Sequence, residues 1–301
     1  MPNILIPSRR VLVALFALGL SAAAAAQPAP PPRPLLWVVA DADSRVFLLG
    51  SVHALPEGTD VLPGAAAAAY AAAGVLTFEV TLDDAAGAAA AIAALALATD
   101  GVALSKRLGP ADAARLDGRL RTLGLSLAAV EAHDPWYAAL LVAATPAADN
   151  RLSFGAGVDV QLSARAAADG KAQMGLETAE EQVAAFDGLA PKDQLALLRD
   201  ALSDTGTADL SGLVAAYAAG DADALQAVVE EGLRAAPALR QRVFTDRNAR
   251  WVPQIEALLA RTGGDGRPED VLVVVGAGHL VGPDSVVAML RARGLVVERV
   301  E

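Results

Sequence analysis

The chain has 301 residues, of which 54% are hydrophobic and 20% are charged, and it contains no cysteine. This apolar content is enough to form the core of one large domain or two small ones. The formal net charge of -11 argues against nucleic acid and anionic membranes as partners. Without cysteine, the chain has no disulfide bond, no thiolate nucleophile and no sulfur ligand for a metal.

Residues 1–26 have the pattern of a secretory signal peptide. Arg9 and Arg10 precede the apolar run 11–20, and a run of alanines before Gln27 provides a small-residue cleavage site. Removal of this segment takes away two arginines and no acidic residue, which changes the formal net charge from -11 to -13. We therefore expect a soluble periplasmic protein that is not stably inserted in a membrane. The alternative is a membrane anchor that is not cleaved.

The first predicted strands follow a proline-rich leader at residues 27–34. Strands are predicted at 35–39 and 45–49, joined by a polar hairpin turn. Gly50 comes directly after the second strand, and His53 follows three residues later. A buried strand thus places an imidazole at its own end.

The same Gly-x-x-His pattern recurs near the C-terminus, at Gly276 and His279. These two motifs contain two of the three histidines of the chain, so the pair indicates an internal repeat. In both copies a helical segment and a second strand follow the motif, at 61–73 and 74–80 in the first copy and at 283–293 and 294–300 in the second. If the copies pair about a pseudo-two-fold axis, both histidines converge at one edge of a single sheet, with Glu79 close by.

Between the two copies, residues 83–264 have the pattern of an insertion of successive helices. Within it, the short run 171–176 has strand character and would place Glu177 at the end of a strand that returns to the sheet. This order of elements predicts an α/β fold, or α+β on a stricter definition, in a single domain over residues 35–301. Its central mixed sheet is formed by two strand, Gly-x-x-His, helix, strand repeats at the chain ends, with a large helical insertion between them.

With these features in view, the chain resembles the TraB/GumN family, which is similar to the Tiki proteases, the erythromycin esterases and the ChaN-like haem proteins. The resemblance covers nearly the whole chain after the leader. It rests on segments that occur in the order and spacing typical of the family: LLGSVHALP around His53, FEV around Glu79, DPW at 134–136, GVD at 157–159, GLET at 175–178, GD at 220–221, RN at 247–248 and GAGHLVGPDSV around His279.

This resemblance implies a site built on His53, Glu79 and His279, which Arg247 and Asn248 of the helical insertion approach. Tiki-like members are regarded as metal-dependent peptidases. The erythromycin-esterase relatives are regarded as hydrolases of a lactone that use a histidine-activated water and require no metal. Family membership therefore defines the site more closely than it defines the reaction.

Two chemistries are compatible with the implied site. His53, Glu79 and His279 together form a set of nitrogen and oxygen ligands for a divalent cation that leaves positions open for water. Such a cation would lower the pKa of a bound water and supply hydroxide, with Glu177 as the proton acceptor, or Glu79 where it is not a ligand. In the metal-free version, His53 acts as the general base and Glu79 orients it.

Several of these residues have a structural interpretation beside the functional one. Arg247 and Asn248 would face a developing oxyanion, or Arg247 would be a buried partner of a carboxylate while Asn248 holds a loop. Asp159 would reach the site or stabilise the N-terminus of its helix. His133 stands apart from the two motifs, and we expect it to pack or to cap a helix.

We therefore expect a secreted, metal-assisted hydrolase that cleaves a peptide or ester bond in a peptide or small-molecule substrate, with the metal-free reaction as its other version. The alternatives are a non-catalytic periplasmic carrier of haem or of a metal, and an accessory protein in envelope polysaccharide assembly. No nucleotide cofactor is expected, because the glycines at 276 and 278 lack the third glycine of the dinucleotide fingerprint.

Overall fold

The computed structural model describes residues 33, 35–81, 85–144, 152–203, 206–234, 236–264 and 266–301. The expected signal peptide lies outside this part of the chain, as does the proline-rich leader apart from Arg33. Within the described ranges, no helix is both long enough and apolar enough to cross a membrane.

A mixed sheet forms the centre of the fold. The described strands are β1 (Leu36–Ala40), β2 (Arg45–Ser51), β3 (Leu55–Pro56), β4 (Val75–Phe78), β5 (Leu152–Ser153), β6 (Ala172–Gly175), β7 (Val271–Gly276) and β8 (Val297–Val300). Six of them form the sheet in the order β6-β4-β7-β2-β1-β8, and β3 and β5 form a separate ribbon. Strands β6, β4, β7 and β2 are mutually parallel, whereas β1 is antiparallel to both of its neighbours. The carboxyl ends of four strands therefore meet at one edge of the sheet.

Helices account for most of the chain between the strands. They are α1 (Ala65–Ala72), α2 (Ala85–Leu95), α3 (Leu104–Leu108), α4 (Pro110–Thr122), α5 (Pro135–Ala143), α6 (Val158–Ala168), α7 (Ala179–Asp187), α8 (Pro191–Ala201), α9 (Gly206–Ala219), α10 (Ala222–Leu233), α11 (Pro237–Arg240), α12 (Asp246–Ala257) and α13 (Val286–Ala292). The predicted α/β fold is confirmed, with a mixed sheet, a long helical segment between the terminal repeats, and β6 as the strand that returns from that segment.

The two repeats interlock at the middle of the sheet. Strand β7 pairs with β2 on one side and with β4 on the other, so the second copy inserts between the two strands of the first. Its sequence, VLVVVG, is buried almost throughout, as is typical of a parallel strand that is covered on both faces. The glycine of the first motif is needed for this arrangement. A Cβ atom on Gly50 would lie 3.0 Å from the Cβ of Ala277, in the second motif.

The buried apolar residues divide into two cores. The first, which we call the sheet core, surrounds the central sheet and includes residues of α1, α6, α12 and α13. The second, which we call the helical core, lies within the insertion and is formed by α2, α3, α4, α5, α7 and α8, with Trp136, Leu116 and Leu198 among its fully buried members. The chain is thus one domain by sequence pattern but has two separately packed apolar clusters.

Two local features differ from the predicted elements. Residues 237–259, part of the predicted helical insertion, are helical without a break, but an unpredicted π-helical turn at Gln241–Thr245 stands between α11 and α12. The ribbon of β3 and β5 was not predicted, because two-residue strands carry no periodicity. This ribbon pairs the loop after His53 with the segment before α6.

Replacement of Gly50 by alanine should destabilise the protein. The added Cβ would meet Ala277 at 3.0 Å and Leu35 at 3.2 Å, and overpacking of this kind costs about 1–3 kcal/mol. Gly118→Ala is the matched control, because Gly118 lies within α4 with nothing within 4 Å of the added atom. It should stabilise the protein by about 0.5–1 kcal/mol. Urea unfolding of both variants measures the two effects, and equal stabilities would contradict the close contact between the two motifs.

Candidate functional site

Four predicted site residues lie at the carboxyl ends of the parallel strands. Glu79 directly follows β4, His53 and Glu177 come two residues after β2 and β6, and His279 comes three residues after β7. The backbone N–H of Gly276, the last residue of β7, donates to Oε1 of Glu79 over 2.7 Å. The topology thus gathers side chains that are up to 226 positions apart in the sequence, from His53 to His279.

Arg247 lies at the centre of this edge and joins the buried groups to one another. Its Nε donates to Oε1 of Glu177 over 2.9 Å, and its Nη2 donates to Oε2 of Glu79 over 2.6 Å and to Oε1 of Glu177 over 2.5 Å. Its Nη1 donates to the carbonyl of Val243 over 3.2 Å and lies 3.3 Å from Nε2 of His279. All five N–H groups of the guanidinium therefore have a partner inside the protein.

His279 is held in one tautomer by its neighbours. Nδ2 of Asn248 donates to the backbone carbonyl of Asp284 over 2.7 Å, which turns Oδ1 of Asn248 toward Nδ1 of His279 at 2.6 Å. We therefore assign the proton to Nδ1, so that Nε2 accepts the hydrogen bond from Arg247. The rings of Phe244 and Trp251 lie 4.7 and 4.6 Å from the imidazole, centroid to centroid. Hydrogen bonds at both ring nitrogens and contacts with two aromatic rings therefore fix the orientation of the imidazole.

Burial and charge set the protonation states of these groups. Burial lowers the pKa of His279 to about 3, so this imidazole is neutral at pH 7. Burial alone would raise the pKa of Glu79, but the charges of the neighbouring His279 and Arg247 and the N–H of Gly276 lower it to about 2. Because His279 is itself neutral above pH 3, Arg247, the protonated His53 and the N–H of Gly276 are the groups that keep the pKa of Glu79 low and the carboxylate ionised at pH 7.

Glu177 is the most deeply buried carboxylate of the site, with its side chain 1% exposed. Its Oε1 accepts from Arg247, and its Oε2 accepts from Nη2 of Arg250 over 3.2 Å and from the indole N–H of Trp251 over 3.3 Å. Both carboxylate oxygens of Glu177 are therefore bonded to donors inside the protein. The geometry favours a role for Glu177 in fixing Arg247 rather than in taking a proton from water.

His53 has a different environment from the other groups. Its side chain is 67% exposed, and Nδ1 lies 3.4 Å from both carboxylate oxygens of Asp159. The negative charge of Asp159 raises the pKa of His53 to about 9. Asp159 lies in the first turn of α6, so it both contacts the site and stands where a negative charge stabilises a helix.

The close approach of α6 to His53 depends on the residues that precede Asp159. A Cβ atom on Gly157 would lie 2.4 Å from the backbone oxygen of His53, and the N–H of Val158 donates to the carbonyl of Val52 over 3.1 Å. The β3–β5 ribbon holds the two segments together a few residues away. The GVD segment therefore positions the carboxylate against the imidazole.

Gln182 is a site residue that the sequence pattern did not reveal. Its Nε2 donates to Oε2 of Glu79 over 3.1 Å and lies 3.5 Å from Oε1 of Glu177. It projects from α7, whose start is marked by a capping box of Thr178 and Glu181, but nothing in that pattern points to the next residue as functional. Phe244 and Trp251 were also missed, although they stand three residues before and four residues after Arg247, which is helical spacing on one face.

The predicted metal ligands His53, Glu79 and His279 do not fit a divalent cation in this arrangement. Nε2 of His279 and Oε2 of Glu79 both face the guanidinium of Arg247, and His53 is turned to Asp159. In the described part of the chain, no group of three or more His, Cys, Asp or Glu side chains is arranged to hold a metal. Arg247 already supplies the positive charge that a cation would bring to these carboxylates.

The structure thus separates the six predicted site residues by environment. Glu79, Glu177, Arg247, Asn248 and His279 form one hydrogen-bonded group, which we call the buried cluster. His53 lies at the same edge of the sheet but is open to solvent. His133 is elsewhere, stacked on Tyr137 with 4.7 Å between ring centroids, in agreement with the expected packing role.

The three histidines should titrate in three separate ranges. Asp159 raises the pKa of His53 to about 9, burial lowers that of His279 to about 3, and burial also lowers that of His133 below its usual value near 6.5. Histidine ring resonances followed by NMR from pH 4 to 10 would show the midpoints of His53 and His133, and a His279 ring that stays neutral over the whole range. Asp159→Asn should move the His53 midpoint down toward 6.5 and leave the other two unchanged. A His279 resonance that titrates near pH 6.5 would contradict the assigned tautomer and burial.

Arg247→Met should destabilise the protein far more than Arg250→Met. Arg247 is 4% exposed, and its loss leaves the buried Glu177 and the partly buried Glu79 without their cation, which costs about 3–5 kcal/mol. Arg250 also pairs with Glu177 but is 47% exposed, so its loss should cost at most about 1 kcal/mol. Denaturant unfolding compares the two variants. A small effect of Arg247→Met would show that the buried cluster does not depend on this guanidinium.

Comparison with known proteins identifies the family of this chain. Neither a curated protein nor a solved structure matches this chain. The TraB/PrgY/gumN family matches residues 35–299, which includes both Gly-x-x-His motifs and every residue of the buried cluster. The chain belongs to the TraB/PrgY/gumN family.

Proposed function

We propose that the protein is a hydrolase that cleaves a peptide or ester bond, with His53 as the group that moves protons. The observation that carries this proposal is the exposed imidazole of His53, held by a carboxylate at the edge of the sheet where four parallel strands end. Binding and catalytic groups of open α/β sheets are usually found at this edge. The buried cluster beside it offers no group that is free to exchange protons with a substrate.

The proposed reaction uses one water molecule. The N–H at Nδ1 of His53 donates a hydrogen bond to the carboxylate of Asp159, and the unprotonated Nε2 is then the proton acceptor of the ring. Nε2 takes a proton from water while the water oxygen bonds to the carbonyl carbon of the substrate. When the tetrahedral intermediate collapses, the bond to the alkoxide or amine breaks and the leaving group takes the proton from Nε2. The products are a carboxylic acid and an alcohol or amine, and His53 returns to its starting state.

The buried cluster has a positioning role in this proposal. Arg247 fixes Glu79 and His279, and Gly276 ties Glu79 to the end of β7, which is the strand next to β2. The edge on which the substrate lies is therefore rigid beside His53. Positioning of this kind contributes to catalysis because it removes the entropy cost of bringing reacting groups together.

Activity should require His53 and should rise with pH. His53 must be neutral to accept a proton, and Asp159 raises its pKa to about 9, so kcat/KM should rise about tenfold per pH unit below that value and level off above it. His53→Ala should lower kcat/KM by about 10²–10⁴. The measurement uses libraries of internally quenched peptides and of chromogenic esters at pH 6 to 10.

Two controls make this prediction specific. His133→Ala removes a histidine that packs in the helical core and should leave the rate unchanged. Asp159→Asn should move the rising limb of the pH profile to lower pH, because the imidazolium loses its charge partner. Retained activity in His53→Ala would reject the proposal.

Treatment with a chelator distinguishes the metal-free reaction from the metal-assisted one. Because the lone pairs of Glu79 and His279 face Arg247, we expect hydrolysis to persist after dialysis against EDTA. Loss of activity that Mn²⁺ or Zn²⁺ restores would instead support the ligand set of His53, Glu79 and His279.

A further inference from the structure

An open groove of about 530 Å³ lies beside the candidate site, at the carboxyl ends of β4 and β6. The strand ends contribute Val80, Thr81 and Gly175 to its lining, and the neighbouring helices contribute Gly87 and Ala88 of α2 and Ala179 of α7. Most of these residues are small and uncharged. The volume is within the range of about 300–1,000 Å³ that is usual for ligand pockets.

The groove lies where the two apolar cores meet. Strands β4 and β6 border the sheet core through Phe78 and Leu176, whereas α2 and α7 belong to the helical core through Ile92 and Val183. Clefts between separately packed parts of a protein are frequent ligand sites. This groove is also linked to the candidate site, because Gln182 projects from α7 to Glu79, the residue before Val80.

The charged side chains that line the groove are all acidic. Glu180 and Glu181 lie on its rim and are exposed, and no lysine or arginine is among its described lining residues. Glu177 also borders the groove, but Arg247 and Arg250 compensate its charge. The two rim carboxylates therefore favour a positively charged group in a ligand and disfavour a negative one.

The strand order gives the distance between the groove and His53 along the edge of the sheet. Strands β6, β4, β7 and β2 are consecutive neighbours, and neighbouring strands are about 4.8 Å apart, so the end of β6 lies about 14 Å from the end of β2. An extended peptide covers about 3.4 Å per residue. Four residues of an extended chain would therefore reach from His53 to the groove.

We propose that the groove binds a segment of an extended peptide substrate and selects a lysine or arginine about four positions from the bond that is cleaved. This inference rests on the proposed hydrolase function for the meaning of the cleaved bond. The small lining residues Gly87, Ala88, Gly175 and Ala179 leave room for the peptide backbone, and the carboxylates of Glu180 and Glu181 pair with the basic side chain. The proposal makes the substrate a basic peptide rather than a neutral ester.

Binding can be measured without turnover, in the full chain carrying His53→Ala. The probes are fluorescein-labelled octapeptides of alanine and glycine that contain one lysine, moved along the chain, and the same set with glutamate in its place. Fluorescence anisotropy should show at least fivefold tighter binding of one or two neighbouring lysine positions than of their glutamate counterparts. Equal affinity for the two sets would overturn the proposal.

Two variants test whether the groove is the binding site. Ala88→Trp fills it and should weaken binding of the preferred lysine peptide more than tenfold, whereas Ala90→Trp, at an exposed position of the same helix outside the lining, should not. Glu180→Lys should remove or reverse the preference for lysine over glutamate. Glu180 is chosen because Glu181 also caps α7. If Ala88→Trp and Ala90→Trp bind alike, the groove is not the site.

Cleavage assays separate the failure of this proposal from that of the hydrolase proposal. In the otherwise unmodified protein, the bond that is cleaved should lie about four residues from the preferred lysine. Lysine-selective binding that Ala88→Trp abolishes, with no cleavage of any peptide, would retain the groove and reject the hydrolase. Cleavage that depends neither on the position of lysine nor on Ala88→Trp would retain the hydrolase proposal and reject the groove as the binding site.

Discussion

The arrangement of this site depends on one buried cation between the buried carboxylate of Glu177 and the partly buried carboxylate of Glu79. Arg247 comes from α12, Glu79 from the end of β4 and Glu177 from the end of β6, so their ion pairs tie the helical insertion to two strands of the sheet. Buried charges are costly to remove from water, and such a group is stable only while all partners are present. The pairs therefore do not explain why the protein folds, but they fix which side chains face one another once it has folded.

The same constraint explains why the two Gly-x-x-His motifs have different roles although their sequences match. His279 lies next to Arg247 and is enclosed by Phe244, Trp251 and Asn248, so its nitrogens are both used within the protein. His53 stands one strand further along the edge, and among the described side chains its ring pairs with Asp159 rather than with the guanidinium. The first copy therefore supplies an exposed imidazole, and the second supplies a buried imidazole whose two nitrogens are bonded within the protein.

Much of the fold followed from the sequence because its signals are local. Apolar runs, glycine and proline positions and helical spacing predicted the strands of both repeats, the returning strand β6 and the helical insertion. The matched motifs also predicted that His53 and His279 end at one sheet edge, since parallel strands must share it. The partners of these side chains were less accessible. That His53 pairs with Asp159 rather than Glu79 depends on the two-residue ribbon of β3 and β5 and on the fit of Gly157 against the backbone of His53, which no periodic pattern records.

The repeat itself also shows why one carboxylate of the site had to come from the insertion. The second copy also has a glutamate in its last strand, Glu298 of β8, but it lies four residues after the opening Gly294, whereas Glu79 lies five residues after Gly74. In addition β8 pairs with β1, so that β1 and β2 lie between Glu298 and the end of β7. Glu298 is exposed there and far from Arg247 along the sheet. Strand β6 compensates for this asymmetry, because it adds to the sheet beside β4 and brings Glu177 to the side of Arg247 that a symmetric pair of repeats would leave without an anion. The helical insertion is therefore part of the site, since its own chain provides both the central guanidinium and one of the two carboxylates that hold it.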